Sequence, residues 1–329
     1  MRAIQIFQTG GPEVLTEVEI PVPQPAPGEI RVKAEAIGVG RPDVLVRKGT
    51  YKWMPQLPAI PGSELAGTVD ACGDSVPLSF IGKRVLVSAR ELTVRGGCYA
   101  EYICVPAAAI FELPDTISSV DAISLPNFQL ANALLMSNGE LPVTSVLIPG
   151  ASGGVASALT QIARARGVRV LGTTSTAEKA SYATANGVTD LVTRDPAKLA
   201  DEVRACTDGR GVDLAFDHLG GDSIIACLRS LAPFGMVVSY NVVTGPPSSD
   251  VFQEMRSLLG QSLAVRTFSM HTLDHLPEVR RSLMQTAIQQ MSSGRVKAGE
   301  AHLLALKDIR AAHALLDAGA SIGKIVIQP

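Results

Sequence analysis

The chain has 329 residues, 46% of them apolar, with 29 lysines and arginines against 31 aspartates and glutamates for a formal net charge of −2. That length predicts two domains with sizeable cores, and the near-neutral balance excludes bulk attraction to nucleic acid or an anionic membrane, so any phosphate must be held by a local site. Every long apolar stretch is cut by Gly, Pro or charge, which argues against a membrane span, and MRAIQIFQTGGPEVL has no long apolar run after its arginine, which argues against a signal peptide.

In the first 125 residues short β-like runs, RVKAEAIGV, GTV, RVLVSA and AEYICV, are separated by turn clusters such as PVPQPAPGE and DSVPLSFIG, predicting a compact β-rich domain. From about Leu141 the pattern changes. SVLIPG reads as a buried strand, GASGG as a turn, and VASALTQIARARG as a helix closed by Gly167. VRVLG is a second strand, TSTAEKASYATANG a helix, and TDLVT a third strand. Asp195-Pro196 is expected to supply the N-cap and first position of a helix running to Ala205. VDLAFD, SIIACLRSL and GMVVSY extend the series as strand, helix and strand, and such alternation predicts a parallel sheet with helices on both faces. Amphipathic helices over Pro277–Ser292 and Lys307–Ala318 and a terminal strand KIVIQP close the chain. Five scattered cysteines, Cys72, Cys98, Cys104, Cys206 and Cys227, without any C-x-x-C, fit reduced thiols of a cytoplasmic protein.

Gly150-Ala151-Ser152-Gly153-Gly154-Val155-Ala156 stands between a strand and a helix. There backbone N–H groups and the helix dipole hold a pyrophosphate, and glycine lets the backbone approach it; Ser152, Gly153, Gly154 and Val155 are the candidate contacts. The same residues fit G-x-S-x-G with Ser152 as a hydrolase nucleophile. That reading needs an Asp and then a His on downstream loops, whereas His302 is not obviously in one and His313 lies in a helical pattern. NAD sites place an acidic residue at the tip of the second strand, about 20 residues past the turn. Here the tip reads Gly172-Thr173-Thr174-Ser175-Thr176-Ala177-Glu178-Lys179. Hydroxyls of Thr174 and Ser175 with the Lys179 ammonium favour a 2′-phosphate, hence NADPH, and Arg194 adds a second positive charge. The plainer reading makes Ser175 or Thr176 an N-cap and Lys179 and Arg194 solvated surface.

Together PGEIRVKAEAIGV, RPDVLVRKGTY, PAIPGSELAGTV, GGCYAEY, SVLIPGASGGVA, GTTSTAEKA, GRGVDLAFDHLGG, DIRAAHALL and GKIVIQP cover essentially the whole chain. They resemble the zinc-independent quinone oxidoreductase and enoyl reductase branch of the medium-chain dehydrogenase/reductase superfamily. The resemblance implies an α/β fold in which a GroES-like β-rich substrate domain, residues 1–124 completed by 270–329, accompanies a Rossmann doubly wound parallel sheet domain, residues 125–269. The active site would lie in the cleft between them. It also implies a homodimer, paired through an edge strand near Ser262–Thr267.

Zinc-dependent relatives carry a cysteine and a histidine as ligands where this chain has Gly40 and Ser63, and neither glycine nor an ordinary serine hydroxyl is a zinc ligand. His271-x-x-x-His275 has helical metal spacing but lacks the glutamate of H-E-x-x-H, so no metal is expected. Metal-free hydride transfer suits a quinone, or a C=C conjugated to a carbonyl as in an enal, enone or enoyl thioester. Tyr51, in G-x-Y followed by P-x-L-P, matches the proposed proton donor of mitochondrial-type enoyl reductases; its bland alternative is an aromatic packed on the barrel. Trp53 and Met54 form an apolar wall for substrate, or equally a lid or dimer contact. Asp43 is expected to position the loop. Arg41, Arg47, Lys48 and Lys52 would attract the phosphates of a thioester carrier, or form a solvated face. Lys324 would reach the cofactor or lie on the surface, and Leu130, Asn241 and Phe268 complete the cofactor set. The branch commonly has Asn, Thr and Gly where Gly40, Leu130 and Asn241 stand. These departures put substrate orientation in doubt, and a non-catalytic NADPH-binding protein, with a sensing, RNA-binding or structural role as among lens-crystallin relatives, is the alternative.

Overall fold

A computed structural model of the chain describes residues 1–137 and 142–329; Leu141, where the sequence pattern changes, lies outside them. The strands are β1 (Arg2–Gln5), β2 (Thr16–Glu19), β3 (Glu29–Val39), β4 (Glu64–Cys72), β5 (Arg84–Ser88), β6 (Tyr102–Pro106), β7 (Ile110–Glu112), β8 (Ser145–Ile148), β9 (Arg169–Gly172), β10 (Asp190–Leu191), β11 (Val212–Asp217), β12 (Leu231–Ser239), β13 (Ala264–Thr267), β14 (Ala301–Ala305) and β15 (Lys324–Gln328). The helices are α1 (Arg41–Lys48), α2 (Ser119–Ala122), α3 (Leu125–Leu135), α4 (Gly154–Ala165), α5 (Ala177–Ala185), α6 (Leu199–Cys206), α7 (Asp222–Arg229), α8 (Val251–Ser257), α9 (Pro277–Ser292) and α10 (Ile309–Asp317). None of those described is long and apolar enough to cross a membrane.

The chain divides into two compact units, Met1–Pro126 with Ile288–Pro329, and Asn127–Ala287. In the first, strands run in the order β14-β15-β3-β4-β5-β7, with β6 also on β3. β3 organises this sheet because its aliphatic residues alternate: Ile30, Val32 and Ala34, and past a register shift Ile37 and Val39, point into a core shared with Ile4, Leu65, Val85 and Ile325. Each fully buried large aliphatic contributes about 1.5–3 kcal/mol. In the second unit the order is β10-β9-β8-β11-β12-β13, with every pairing parallel. This is the Rossmann order, in which the chain reverses its winding between β8 and β11 and leaves a ligand crevice at their C-terminal ends.

Three local readings shift. Asp195 does not cap the helix directly: its carboxylate accepts from Ala197 N at 3.0 Å and shapes a turn, and α6 starts only at Leu199, the first residue whose side chain reaches the core. The third strand of the series shrinks to two residues, Asp190–Leu191. The return to the first unit falls at Ile288 within α9 rather than at 270, because Met270 and Leu283 pack with Ala133 in a cluster of the second unit. Helix α1 is started by Pro42 in its first turn and stopped by Gly49 in left-handed conformation (φ 74°).

Candidate active site

The first group of candidate residues assembles around the start of α1. Gly40 is its N-cap, and the Gly40 N–H donates to Asp43 Oδ2 at 2.8 Å, the reciprocal half of a capping box. Ser63 Oγ donates to Asp43 Oδ1 at 2.6 Å. Ser63 reaches that position because Gly62 adopts φ 100° and has no Cβ; one would stand 2.4 Å from Tyr99 Cδ1. Asp43 is 1% exposed, and its carboxyl is pushed up to about 6, chiefly by burial, with Glu64 adding repulsion and the Ser63 and Gly40 donors opposing. Lys324 Nζ donates to Glu64 Oε2, with only 8% of the lysine side chain exposed. The positions at which metal-dependent relatives carry Cys and His therefore offer no donor set: Gly40 has no side chain, and the Ser63 hydroxyl is committed to Asp43.

Tyr51 follows α1, with its N–H on Leu45 O at 3.2 Å, and its half-buried ring stands 5.6 Å from that of Trp53. Tyr51 and Met54 pack on the core of this unit, whereas Trp53 is 36% exposed with the Lys52 ammonium 5.4 Å from its ring. The basic cluster is not a uniform solvated face. Arg47 is fully buried, donating to Asp317 Oδ2 at 2.6 Å and to Gly10 O at 3.2 Å, and Lys48 pairs with Asp317 Oδ1 at 2.6 Å. Arg47 is thus committed to structure and withheld from any carrier phosphate.

In the second unit the residues after β8 form the turn at the switch point. Gly150 N donates to Thr173 Oγ1 at 3.2 Å and Ala151 N to Thr173 O at 2.9 Å, tying the turn to the end of β9. Gly150 needs to be glycine: its φ is 65°, and a Cβ would lie 2.7 Å from His218 Cε1. Gly153 is the N-cap of α4, and a Cβ on it would meet only Gly150 O, at 3.6 Å. The N-terminus of α4, led by Gly154 and Val155, thus presents unpaired N–H groups past an open backbone, which fits a pyrophosphate; Ser152 is buried beneath. At the tip of β9 Thr173 is buried, Thr174 half-buried and Ser175 exposed, and Thr176 is the N-cap of α5, accepting from Lys179 N at 3.2 Å. The cap and the row of hydroxyls coexist.

The remaining candidates are more dispersed. Leu130 and Phe268 pack in one apolar cluster with Ala133 and Met270. Asn241 Oδ1 accepts from Val242 N at 2.9 Å, and Arg194 is exposed after β10. Of the histidines weighed for a hydrolase, His313 is buried in α10 with Nε2 3.0 Å from Tyr99 Oη, and His302 lies on β14. Sequence reasoning passed over Glu64 and His218. Both sit in family-like stretches, PAIPGSELAGTV and GRGVDLAFDHLGG, but what each touches depends on strands distant in sequence. His218 follows Asp217, whose carboxylate accepts from Gly220 N at 2.9 Å and Ser223 Oγ at 2.7 Å, and its ring is 5.7 Å from that of Tyr240.

Comparison with known proteins agrees with this anatomy. The family model "Alcohol dehydrogenase GroES-like domain" matches residues 26–115, and "Zinc-binding dehydrogenase" matches residues 154–290. The quinone oxidoreductase of Homo sapiens is 35% identical over 72% of this chain and 72% of its own. That of Salmonella typhimurium is 30% identical over 99% of each. A mycobacterial protein solved in complex with NADPH superposes with a TM-score of 0.88 at 32% identity, covering 100% of both chains. The Escherichia coli quinone oxidoreductase, also solved with NADPH, gives 0.87 at 28% identity over 100% of both.

Proposed function

Because the chain belongs to the zinc-independent quinone oxidoreductase branch of the medium-chain dehydrogenase/reductase superfamily, we propose that it is an NADPH-dependent, metal-free reductase of quinones. Its reach extends to the C=C of α,β-unsaturated carbonyl compounds, enals, enones or enoyl thioesters. The observation that carries this reading is the open glycine turn at the switch point of a 3-2-1-4-5-6 parallel sheet, joined to a hydroxyl-lined strand tip with no carboxylate before Glu178. NADPH, when bound, supplies the hydride. Gly153, Gly154 and Val155 hold its pyrophosphate, with Ser152 beneath them. Thr174, Ser175, Lys179 and Arg194 hold the 2′-phosphate, and Leu130, Asn241 and Phe268 border the nicotinamide. Tyr51 supplies a proton to the reduced substrate, and Trp53 and Met54 form the apolar wall against it.

The reading is tested by following NADPH absorbance with a panel of quinones, enals and enoyl thioesters. Turnover is expected with at least one quinone, whereas NADPH binding without any turnover would favour the non-catalytic alternative. NADPH should bind at least tenfold more tightly than NADH, and Lys179→Ala should narrow that gap by about tenfold, the ~1.4 kcal/mol of one charge-assisted bond. Equal affinities in the parent protein would sink the 2′-phosphate assignment. Tyr51→Phe should lower kcat by about 100-fold, as loss of a positioned acid does, without changing the NADPH dissociation constant. An unchanged kcat would return Tyr51 to a packing role.

β13 is the end strand of its sheet, and its outer edge supports a homodimer formed by strand pairing, to be read by sedimentation velocity; a monomeric species at assay concentration would refute it. The five cysteines are free thiols, which supports a cytoplasmic location; fractionation with residence in an oxidising compartment would contradict it.

A further inference from the structure

We propose that the Lys324 ammonium, held by Glu64 beside the side-chain-free Gly40, stabilises the negative charge that arrives on the substrate's carbonyl oxygen. It thereby does the electrostatic work that a metal does in zinc-dependent relatives. The inference rests on the quinone-reductase reading above.

Strand register builds the arrangement. β15 pairs antiparallel with β3, Ile325 opposite Val39, and β3 pairs with β4, Gly38 opposite Glu64. Three neighbouring strands thus bring Lys324, Gly38 and Glu64 together, with Gly40 one residue past the end of β3, although Lys324 and Glu64 are 260 residues apart in sequence. The arrangement works because β3 offers no side chains in the way. A Cβ at Gly38 would overlap Glu64 Oε2 and displace the carboxylate.

Gly40 leaves a space beside the cation. A Cβ there would find Pro42 Cδ at 3.5 Å, Asp43 Oδ2 at 3.7 Å and Lys324 Nζ at 3.7 Å, with nothing nearer. A carbonyl oxygen entering that space comes within hydrogen-bond reach of the ammonium, which has three donors, one of them engaged by Glu64. The Asp43 carboxylate on the other side is already engaged by the Gly40 N–H and the Ser63 hydroxyl, which mutes its repulsion of an arriving oxyanion. A buried ion pair is weak as a device for stability, since well-packed apolar residues serve as well, so retaining a largely buried ammonium at this opening calls for a use. A preorganised cation facing developing charge in a poorly hydrated place is a strong catalytic element.

The step balances. The quinone takes up a hydride, that is one proton with two electrons, and is left with one negative charge on oxygen opposite Lys324. That oxygen then takes a proton from Tyr51, which is reprotonated from solvent, to give the hydroquinone, while the nicotinamide donor leaves oxidised.

The experiment compares NADPH affinity by fluorescence titration, quinone turnover and thermal unfolding in the parent, Lys324→Met, Lys324→Arg, Gly40→Ala and the double variant Lys324→Met with Glu64→Gln. Lys324→Met is expected to lower kcat by about 100-fold with the NADPH dissociation constant within about threefold of the parent, and Lys324→Arg to recover about tenfold of the loss. Gly40→Ala, whose methyl meets its neighbours at ordinary contact distances, should raise the KM for quinone about tenfold while lowering the melting temperature by only about 2–4 °C, the ~1 kcal/mol that alanine costs relative to glycine as the N-cap of α1. The double variant removes the carboxylate left without its cation, so it should melt like the parent and remain as slow as Lys324→Met. The assignment is overturned if Lys324→Met retains the parent's kcat, or if it loses NADPH affinity in step with kcat, which would make Lys324 a cofactor ligand. A parent that binds NADPH but reduces no quinone overturns the functional reading and this assignment together; a parent that turns over while Lys324→Met is unimpaired overturns this assignment alone.

Discussion

Gly153→Asp is expected to raise the NADPH dissociation constant by roughly two to three orders of magnitude while leaving the protein as stable as the parent. Gly153 caps α4 with φ −75° and ψ 157°, the extended geometry that an aspartate N-cap adopts, and a side chain there meets nothing nearer than Gly150 O at 3.6 Å. As an N-cap aspartate is as good as glycine or better by a few tenths of a kcal/mol, so the helix does not suffer. The binding site does. A carboxylate at the head of α4 occupies the ground an incoming pyrophosphate needs, and two unit charges about 4 Å apart repel by about 4 kcal/mol at the effective dielectric of a protein surface, where 1.4 kcal/mol is tenfold. Fluorescence titration with NADPH beside a thermal melt separates the two effects. Unchanged affinity would mean that the turn does not hold the phosphates, and a lower melting temperature with unchanged affinity would mean that its glycine is structural.

Asp317→Ala is expected to destabilise the unit that contains it by about 3–5 kcal/mol, the cost of leaving a buried charge without its partner. Arg47 is fully buried, its Nη1 has no hydrogen-bond partner, and Asp317 is the carboxylate that compensates it. A domain of this size loses about 2–4 °C of melting temperature per kcal/mol, so a drop of roughly 10 °C is expected. The double variant Arg47→Met with Asp317→Leu should recover most of it, because an apolar pair of similar volume needs no compensation. The pH dependence follows from the direction of the shift. Burial raises the Asp317 carboxyl, but hydrogen bonds from Lys48 and Arg47 and their charges outweigh it and hold the group below the usual carboxylate range. The folded-state value is then lower than the unfolded one, near 3.9, so the stabilisation is fully present above about pH 4 and is lost as pH falls through the folded value. Melting curves of parent and variant should therefore converge in acid and stay apart at neutral pH. A constant gap down to about pH 2 would show that the carboxylate's charge is not what Arg47 needs.

How much of this was legible in the sequence depended on the distance over which each signal acts. Strand, turn and helix in SVLIPG, GASGG and VASALTQIARARG are visible because period and turn chemistry work within a few residues, and β8, the Gly150 turn and α4 follow them. The α9 limits, Pro277 to Ser292, are legible for the same reason. Asp195-Pro196 misled because two residues with N-cap chemistry also make a tight turn, and the helix begins where Leu199 finds a core to enter. Arg47 misled because a basic residue among Arg41, Lys48 and Lys52 reads as solvated, whereas its carboxylate partner comes from α10, 270 residues away.

The sequence by itself determined the two-domain α/β grammar, the glycine turn with its hydroxyl-rich second-strand tip, and the lack of cysteine or histidine side chains at Gly40 and Ser63, all of them properties of short stretches. Only the tertiary structure decided which residues meet: Lys324 with Glu64 across β3, Arg47 with Asp317, His218 against Gly150. The physical reason is that these pairings are set by strand register, sheet order and, for Arg47 and Asp317, the packing of α1 and α10, all of which depend on the burial of whole faces, and no residue's neighbours in sequence carry that information.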